Sequence, residues 1–252
     1  MASETITSDR YQDEYEPSFV DKWDELIDWE GRAKGEGDFY PSILREAGCT
    51  RLLDAACGTG YHAVQLAKDG FDVLAADGAE EMVSKTAENA KLHGIDDLPC
   101  QVADWRSLSE DIDGQYDALL CLGNAFTHLF SAEERQQALT EFHKVVKPGG
   151  LVVIDQRNYD SILDEGFNTK HQFYYTGHGV DARPEEISEE YVRFRYTFPD
   201  GDVHHLTMYP LRQDYLTGLM QEAGFRGIQR YGDFEPDYDK LEPDFVVQVG
   251  KA

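Results

Sequence analysis

The segment that most constrains this chain is Leu52-Leu53-Asp54-Ala55-Ala56-Cys57-Gly58-Thr59-Gly60, an apolar run that ends in a Gly-x-Gly turn. It reads as a buried strand, Arg51–Ala56, then a turn, then a helix over His62–Lys68. Glycines at 58 and 60 let the backbone turn sharply and let a ligand approach without meeting a Cβ. The unit then repeats. Gly70 stops the helix, and Asp72–Ala76 is a second strand ending at Asp77. A helix over Glu80–His93 closes at Gly94. Cys100–Ala103 and Tyr116–Leu122 are the third and fourth strands. A long helix, Ala132–Val146, turns through Lys147-Pro148-Gly149-Gly150 into a fifth strand, Leu151–Asp155. Strands alternating with helices at this spacing predict an α/β fold, a Rossmann-like, doubly wound parallel sheet.

Beyond Asp155 the period changes. Gln172–Tyr175, Glu190–Phe198 and Asp202–Tyr209 read as antiparallel strands, with Pro199-Asp200-Gly201-Asp202 as a hairpin turn. A helix over Arg212–Ala223 stops at Gly224, and Gly227–Tyr231 and Phe245–Val249 form a last strand pair. The expected organisation is a single domain, 1–252. Within it lie an N-terminal helical cap segment (1–48), a Rossmann-like core (49–158 and 211–252) and an antiparallel substrate lid insertion (159–210) over the strand ends. In the cap, the chain is expected to be loose up to about Tyr15. An amphipathic helix follows over Phe19–Ile27 (Phe19, Val20, Trp23, Leu26 and Ile27 on one face), and a second spans Phe39–Ala47.

Charge narrows the partners. The chain has 49 acidic and 23 basic residues, a net charge of −26, which repels nucleic-acid backbones and anionic membranes. Such a coat suits concentrated salt, as in a halophilic source; an ordinary acidic cytosolic protein is the alternative. The N-terminus lacks an apolar signal core, and no run of 18 apolar residues exists, so a cytoplasmic protein is expected. None of the four cysteines forms a C-x-x-C pair. No metal is expected: H-E-x-x-H and Cys/His ligand spacings are missing, and adjacent His204 and His205 point to opposite faces of a strand.

The turn leaves two cofactor classes open. Gly58-Thr-Gly60-Tyr-His-Ala63 fits the dinucleotide pattern G-x-G-x-x-A, so an NAD-dependent oxidoreductase is one reading. Asp54 favours the other. Four residues before Gly58, its carboxylate would repel a pyrophosphate but suits the ammonium of S-adenosylmethionine. Asp77, seventeen residues after Gly60, can accept ribose hydroxyls from either. Asp104-Trp105 offers a carboxylate and a ring to an adenine, unless Trp105 is merely rim packing.

Asp54-Ala-Ala-Cys-Gly58-Thr-Gly60 resembles motif I of class I methyltransferases. The longer likeness is to the glycine N-methyltransferase family. It rests on Leu122-Gly-Asn124-Ala-Phe-Thr-His128-Leu129, Asp155-Gln-Arg157-Asn-Tyr159-Asp160, the stretch Phe198–Tyr209 with Pro210-Leu-Arg212, and Gly232-Asp-Phe234. Phe19-Val-Asp-Lys-Trp23 through Trp29, with Arg32, resembles the microbial, glycine- and sarcosine-methylating branch, which begins betaine synthesis; the resemblance runs from about Tyr11 to the C-terminus. It implies S-adenosyl-L-methionine as cofactor and S-adenosyl-L-homocysteine as product. Ala56, Gly58, Gly60 and Leu122 would line the cofactor, Tyr15 and Trp23 would flank it, and Arg32 would hold its methionine carboxylate. His128 would contact the methionine end or steady the Asn124 loop.

Glycine offers one handle, a carboxylate. Arg157 can hold it bidentately and Asn124 can donate to it, although an ion pair of Arg157 with Asp155 or Asp160, and a plain turn role for Asn124, remain open. Tyrosines would line the amine pocket: Tyr159, Tyr175, Tyr209 and Tyr238, with Tyr209 first and also the candidate proton acceptor. Expected partners are a small amino acid only, and a monomer. The alternatives are the sarcosine/dimethylglycine-methylating enzyme of the same pathway and a protein that merely buffers S-adenosylmethionine.

Overall fold

The computed structural model describes residues 6–168, 177 and 179–252. The N-terminal segment folds as five short helices: α1 (Arg10–Glu14), α2 (Pro17–Asp21), α3 (Trp23–Ile27), α4 (Trp29–Glu36) and α5 (Phe39–Glu46). From Arg10 onward the loose start expected up to Tyr15 is therefore corrected, because α1 is helical and anchored. The Glu14 carboxylate accepts from the Thr207 amide and hydroxyl, both at 2.7 Å. The single helix over Phe19–Ile27 is also corrected. It breaks at Lys22, whose amide turns back to Phe19 O and whose ammonium bridges Asp200 and Asp202 of the distant hairpin.

The alternating region follows the expected plan: β1 (Arg51–Asp54), α6 (Tyr61–Lys68), β2 (Asp72–Asp77), α7 (Glu80–Leu92) and β3 (Cys100–Val102). A 3-10 turn at Trp105–Ser107, α8 (Leu108–Asp111), β4 (Tyr116–Cys121) and a 3-10 turn at Ala125–His128 come next. Then follow α9 (Ala132–Val145), β5 (Val146–Arg157) and α10 (Tyr159–Asp164). The fifth strand is longer than predicted. The Lys147–Gly150 turn is absorbed into β5 because Val146 already pairs with Tyr116 and the Gly149 amide reaches Ala252 O. A Cβ at Gly150 would stand 2.6 Å from Asp117 O, so the strands approach there only through a glycine.

The insertion is a separate antiparallel sheet, β6 (Asp181–Ile187), β7 (Val192–Thr197) and β8 (Val203–Met208). Two of the expected strands match β7 and β8; Gln172–Tyr175 lies outside the described residues. Strand β6 escaped the sequence reading because Asp-Ala-Arg-Pro-Glu-Glu is charged and carries a proline, both tolerated on an exposed edge. The chain closes with α11 (Gln213–Glu222), β9 (Arg226–Gly232) and β10 (Phe245–Lys251).

The main sheet runs β3-β2-β1-β4-β5-β10-β9, with β10 antiparallel to β5. The middle residues of its central strands are apolar at successive positions because both faces are covered. Leu53, Leu119 and Val152 pack under α9 and α11, whereas Leu52, Leu120 and Val153 pack under α5 and α6. The order reverses at β1/β4, where an open α/β sheet forms a crevice at its strand ends. The small sheet and the cap helices share a third core: Phe19 and Leu26 meet Tyr159, Phe194, Tyr196 and Met208. Cap and insertion thus form one roof over the crevice. Among the described residues, no helix is long and apolar enough to cross a membrane.

Candidate functional site

A pocket with about 970 Å³ of empty space, partly open to solvent, lies across the strand ends from β3 to β4. Its floor is the Gly58 turn with Ala56, Asp77, Asp104, Trp105 and Leu122; its roof is Tyr15, Trp23 and Arg32, with His128 at one side. Those are ten of the twelve residues expected around a cofactor. The other two, Asp54 and Gly60, do not line it. Gly60 turns at φ 98° and begins α6, and a Cβ there would stand 2.9 Å from Thr86 Cγ2, so this glycine is required by helix packing. Asp54 is fully buried beneath the floor.

Two carboxyls give the floor its chemistry. Burial pushes Asp54 up to about 6, and its Oδ2 is buried without a hydrogen-bond partner. Asp77 is also raised by burial to about 6, against the pull of the Ala79 and Gly58 amides, each 3.0 Å from it. Asp54 adds to the rise. Burial makes each acid costly to ionise, so the floor favours a ligand that brings positive charge and hydroxyl donors.

At the β3 end, the Trp105 indole donates to Ala55 O at 2.6 Å, and its ring lies over Phe126. Trp105 is therefore both packing and pocket wall. The Asp104 carboxylate is tied to Arg106, which also holds Asp9 and Glu134. Those partners pin the start of the cap to the core and take up acceptor positions that an adenine amino group would otherwise use.

The roof is held by specific bonds. Tyr15 Oη and His128 Nε2 are 2.9 Å apart, and the Tyr15 and Trp23 rings meet edge to face at 5.2 Å. Burial pushes His128 down to about 4, so it is neutral at physiological pH. Asp24 accepts from Thr59 at 2.6 Å and from Asn89 at 2.8 Å, which places Trp23 above Gly58.

Beside the pocket, under the lid sheet, lies a second buried cluster. Asn124, at φ 65°, is held by its amide on Asp155 Oδ1 at 2.8 Å. Its Oδ1 accepts the Arg157 backbone N–H at 2.9 Å, and its Nδ2 donates to Tyr159 Oη at 3.0 Å and to Met208 Sδ. Arg157 lies 4.7 Å over the Phe194 ring and is bonded to Tyr196. The expected Asn124, Arg157 and Tyr159 are thus brought together. Asp155 turns to Asn124 and Tyr40, at 2.8 and 3.4 Å. Asn124 is also a turn residue, as the alternative had it.

Two of the expected tyrosines pack elsewhere. Tyr209 follows Met208 but faces the other way: its ring lies 3.8 Å from the Arg135 guanidinium and packs with Phe130 and Tyr215. Tyr238 donates to Gln213 at 3.0 Å, beside α11. Neither reaches Asn124 or Arg157, because strand alternation and the β9–β10 connection aim them elsewhere. Tyr175 lies outside the described residues. The sequence reading missed Tyr11, His62, Met82 and Arg106 on the pocket wall, and Phe194, Tyr196 and Met208 in the cluster. Alternation along Val192–Thr197 could have found Phe194 and Tyr196, which share a buried face; the others are brought in by tertiary packing alone. Among the described residues, no group of three His, Cys, Asp or Glu side chains is arranged to hold a metal.

Comparison with known proteins agrees with this geometry. A family model described as a methyltransferase domain matches residues 52–150. The glycine/sarcosine N-methyltransferase of Halorhodospira halochloris is 50% identical, covering 97% of this chain and 91% of that protein. The glycine/sarcosine N-methyltransferase of Aphanothece halophytica is 49% identical, covering 98% and 93%. Among solved structures, an S-adenosylmethionine-dependent methyltransferase from Clostridium acetobutylicum superposes with a TM-score of 0.74 at 17% identity, covering 93% of this chain and 97% of that one; it shares the fold.

Proposed function

The chain belongs to the glycine/sarcosine N-methyltransferase family and is an enzyme of that kind, and we propose that it uses S-adenosylmethionine to convert glycine to sarcosine and sarcosine to N,N-dimethylglycine. The observation that carries this reading is the adjacency of the two sites. A pocket over two strained carboxyls abuts a buried Arg157–Asn124 cluster through a single loop, Leu122–His128. A dinucleotide fits poorly, since the buried Asp54 carboxyl lies beneath the Gly58 turn, where its pyrophosphate would rest. A cationic sulfonium with an ammonium end matches those carboxyls and the buried Asp54 Oδ2. When bound, the cofactor supplies an electrophilic methyl group, leaving S-adenosylhomocysteine.

The chain's own residues then position and exclude. Asp77 accepts from hydroxyls at the end of β2, and Tyr15 and Trp23 shut water out from above. The Arg157 guanidinium, held over Phe194, takes the carboxylate of the amino acid and leaves its amine as the one reactive group. Asn124 fixes the Arg157 backbone. Tyr159, raised to about 12 by burial, stays a neutral phenol and cannot compete as a nucleophile. Positioning of this kind supplies most of the rate for an in-line displacement.

We place the activity in betaine synthesis, supported by the −26 charge, which suits a cell that accumulates osmolyte. We also propose a cytoplasmic monomer, because the roof residues Tyr15 and Trp23 reach the pocket of their own chain. Product mass with glycine, sarcosine and dimethylglycine as acceptors tests the reaction. Sarcosine and dimethylglycine should form from the first two. No product from either refutes it, and turnover of dimethylglycine alone favours the later pathway enzyme. Light scattering tests the monomer.

A further inference from the structure

We infer that Glu36 and His62 are cofactor-positioning residues, a buried bracket that fixes the Arg32 guanidinium at the pocket; the inference rests on the proposed cofactor. Arg32 and Glu36 stand four residues apart on α4, so they share a helix face. Arg32 Nε donates to Glu36 Oε1 at 2.7 Å, with both side chains almost wholly buried. His62, two residues after the Gly58–Gly60 turn, lies with its Nε2 2.9 Å from the same oxygen. Arg32 and His62 line the pocket; Glu36 lies behind them.

The bracket joins roof to floor. Helix α4 belongs to the cap and α6 to the core, and Glu36 Oε1 is one point where they meet, beside the Trp29–Tyr61 ring contact. Aromatic rings close it in: the Arg32 guanidinium is 5.4 Å from the centre of the Tyr61 ring, and His62 meets Tyr40 edge to face at 5.4 Å. Burial pushes the Glu36 carboxyl up, but the charges of His62 and Arg32 outweigh it and hold it below its ordinary value, so it stays an ionised acceptor. Burial still dominates at Asp54, beneath, but the same two side chains pull its carboxyl downward.

A buried ion pair need not add stability, since an apolar pair of like volume does as well. What the bracket adds is geometry. A loose arginine gives up several rotors when it meets a carboxylate; this one is held on its Nε edge before the ligand arrives. The residues at the other end of the pocket, Asp77, Asp104 and Trp105, do not touch the bracket. Its effect should therefore be confined to the amino-acid end of the cofactor.

That confinement is the test. Affinities of S-adenosylhomocysteine and of 5′-methylthioadenosine, which lacks the amino-acid end, are measured by calorimetry for the wild type, Glu36→Gln and His62→Gln. Glu36→Gln should weaken S-adenosylhomocysteine about 10- to 100-fold, the loss of one charge-assisted bond. Its affinity for 5′-methylthioadenosine should stay within about twofold, because that ligand never meets Arg32. His62→Gln should move in the same direction by about 3- to 10-fold, and it carries the test from α6 if Glu36→Gln does not fold. Equal losses for both ligands would mean a purely structural pair and overturn the inference, as would unchanged S-adenosylhomocysteine affinity. A wild type that binds neither ligand overturns the cofactor reading and the bracket with it.

Discussion

Asp54→Asn should make the ligand-free protein more stable while weakening its hold on the cofactor. Asp54 is fully buried, and burial raises its carboxyl from the ordinary 3.8 to about 6. A folded-state value above the unfolded one costs no stability below pH 4. The cost sets in as pH rises through the window from about 4 to about 6 and is complete above it. At about 1.4 kcal/mol per pH unit, it reaches roughly 3 kcal/mol. For a chain of this size that corresponds to about 6–12 °C in melting temperature. Asparagine keeps the shape and the acceptor near the Ala56 amide, 3.4 Å away, but never ionises. The difference in melting temperature between variant and wild type, followed by circular dichroism without ligand, should be near zero at pH 4 and approach its full size by pH 7.5. Taking the difference cancels the carboxylates that behave oppositely, such as Asp104 and Asp117, which lie below their ordinary values. Calorimetry at pH 7.5 should show S-adenosylmethionine binding weakened. A difference that does not change with pH, or a variant less stable than wild type at neutral pH, would refute the account of Asp54 as a strained site.

Arg157→Lys should raise the Michaelis constant for glycine by about tenfold or more, because an ammonium cannot reproduce the two-pronged contact; cofactor affinity, measured separately, should be unchanged. Gly60→Ala should destabilise by about 1–3 kcal/mol, from its left-handed backbone and the clash with Thr86, and thermal melting reads it directly. Tyr15→Phe removes the bond to His128, and the cofactor dissociation constant should rise by a few-fold, roughly the worth of one hydrogen bond. The melting temperature should climb with KCl as salt screens the −26 charge; a fall at molar salt would argue against a halophilic design.

The parallel sheet was legible because its strands are buried on both faces: Leu52-Leu53 and Val152-Val153 are apolar at successive positions, and Gly70 and Gly94 follow the ends of α6 and α7. Floor residues were legible for a related reason. In an alternating fold a ligand lies at the strand ends, so Ala56, Asp77, Asp104 and Leu122 could be counted off from strand boundaries. Tyr209 shows where counting stops. One residue beyond Met208, it faces away from the amine cluster, because successive residues of an extended chain point to opposite sides. The bracket partners Glu36 and His62 carry no signal in a line of sequence. They are 26 residues apart and meet only when the cap folds onto α6.

The sequence by itself thus determined the sheet, the position of its crevice and the family, since each follows from local pattern: buried runs, turn glycines and short motifs read in order. Tertiary structure alone decided which carboxyl is strained, which tyrosine reaches the amine cluster and what holds Arg32 in place. Those depend on burial and direction, and both come from distant segments packing together. The Gly-x-Gly segment after β1 is the clearest case. Leu52–Gly60 locates Asp54 at the mouth of a strand, but only the fold buries its Oδ2 without a partner.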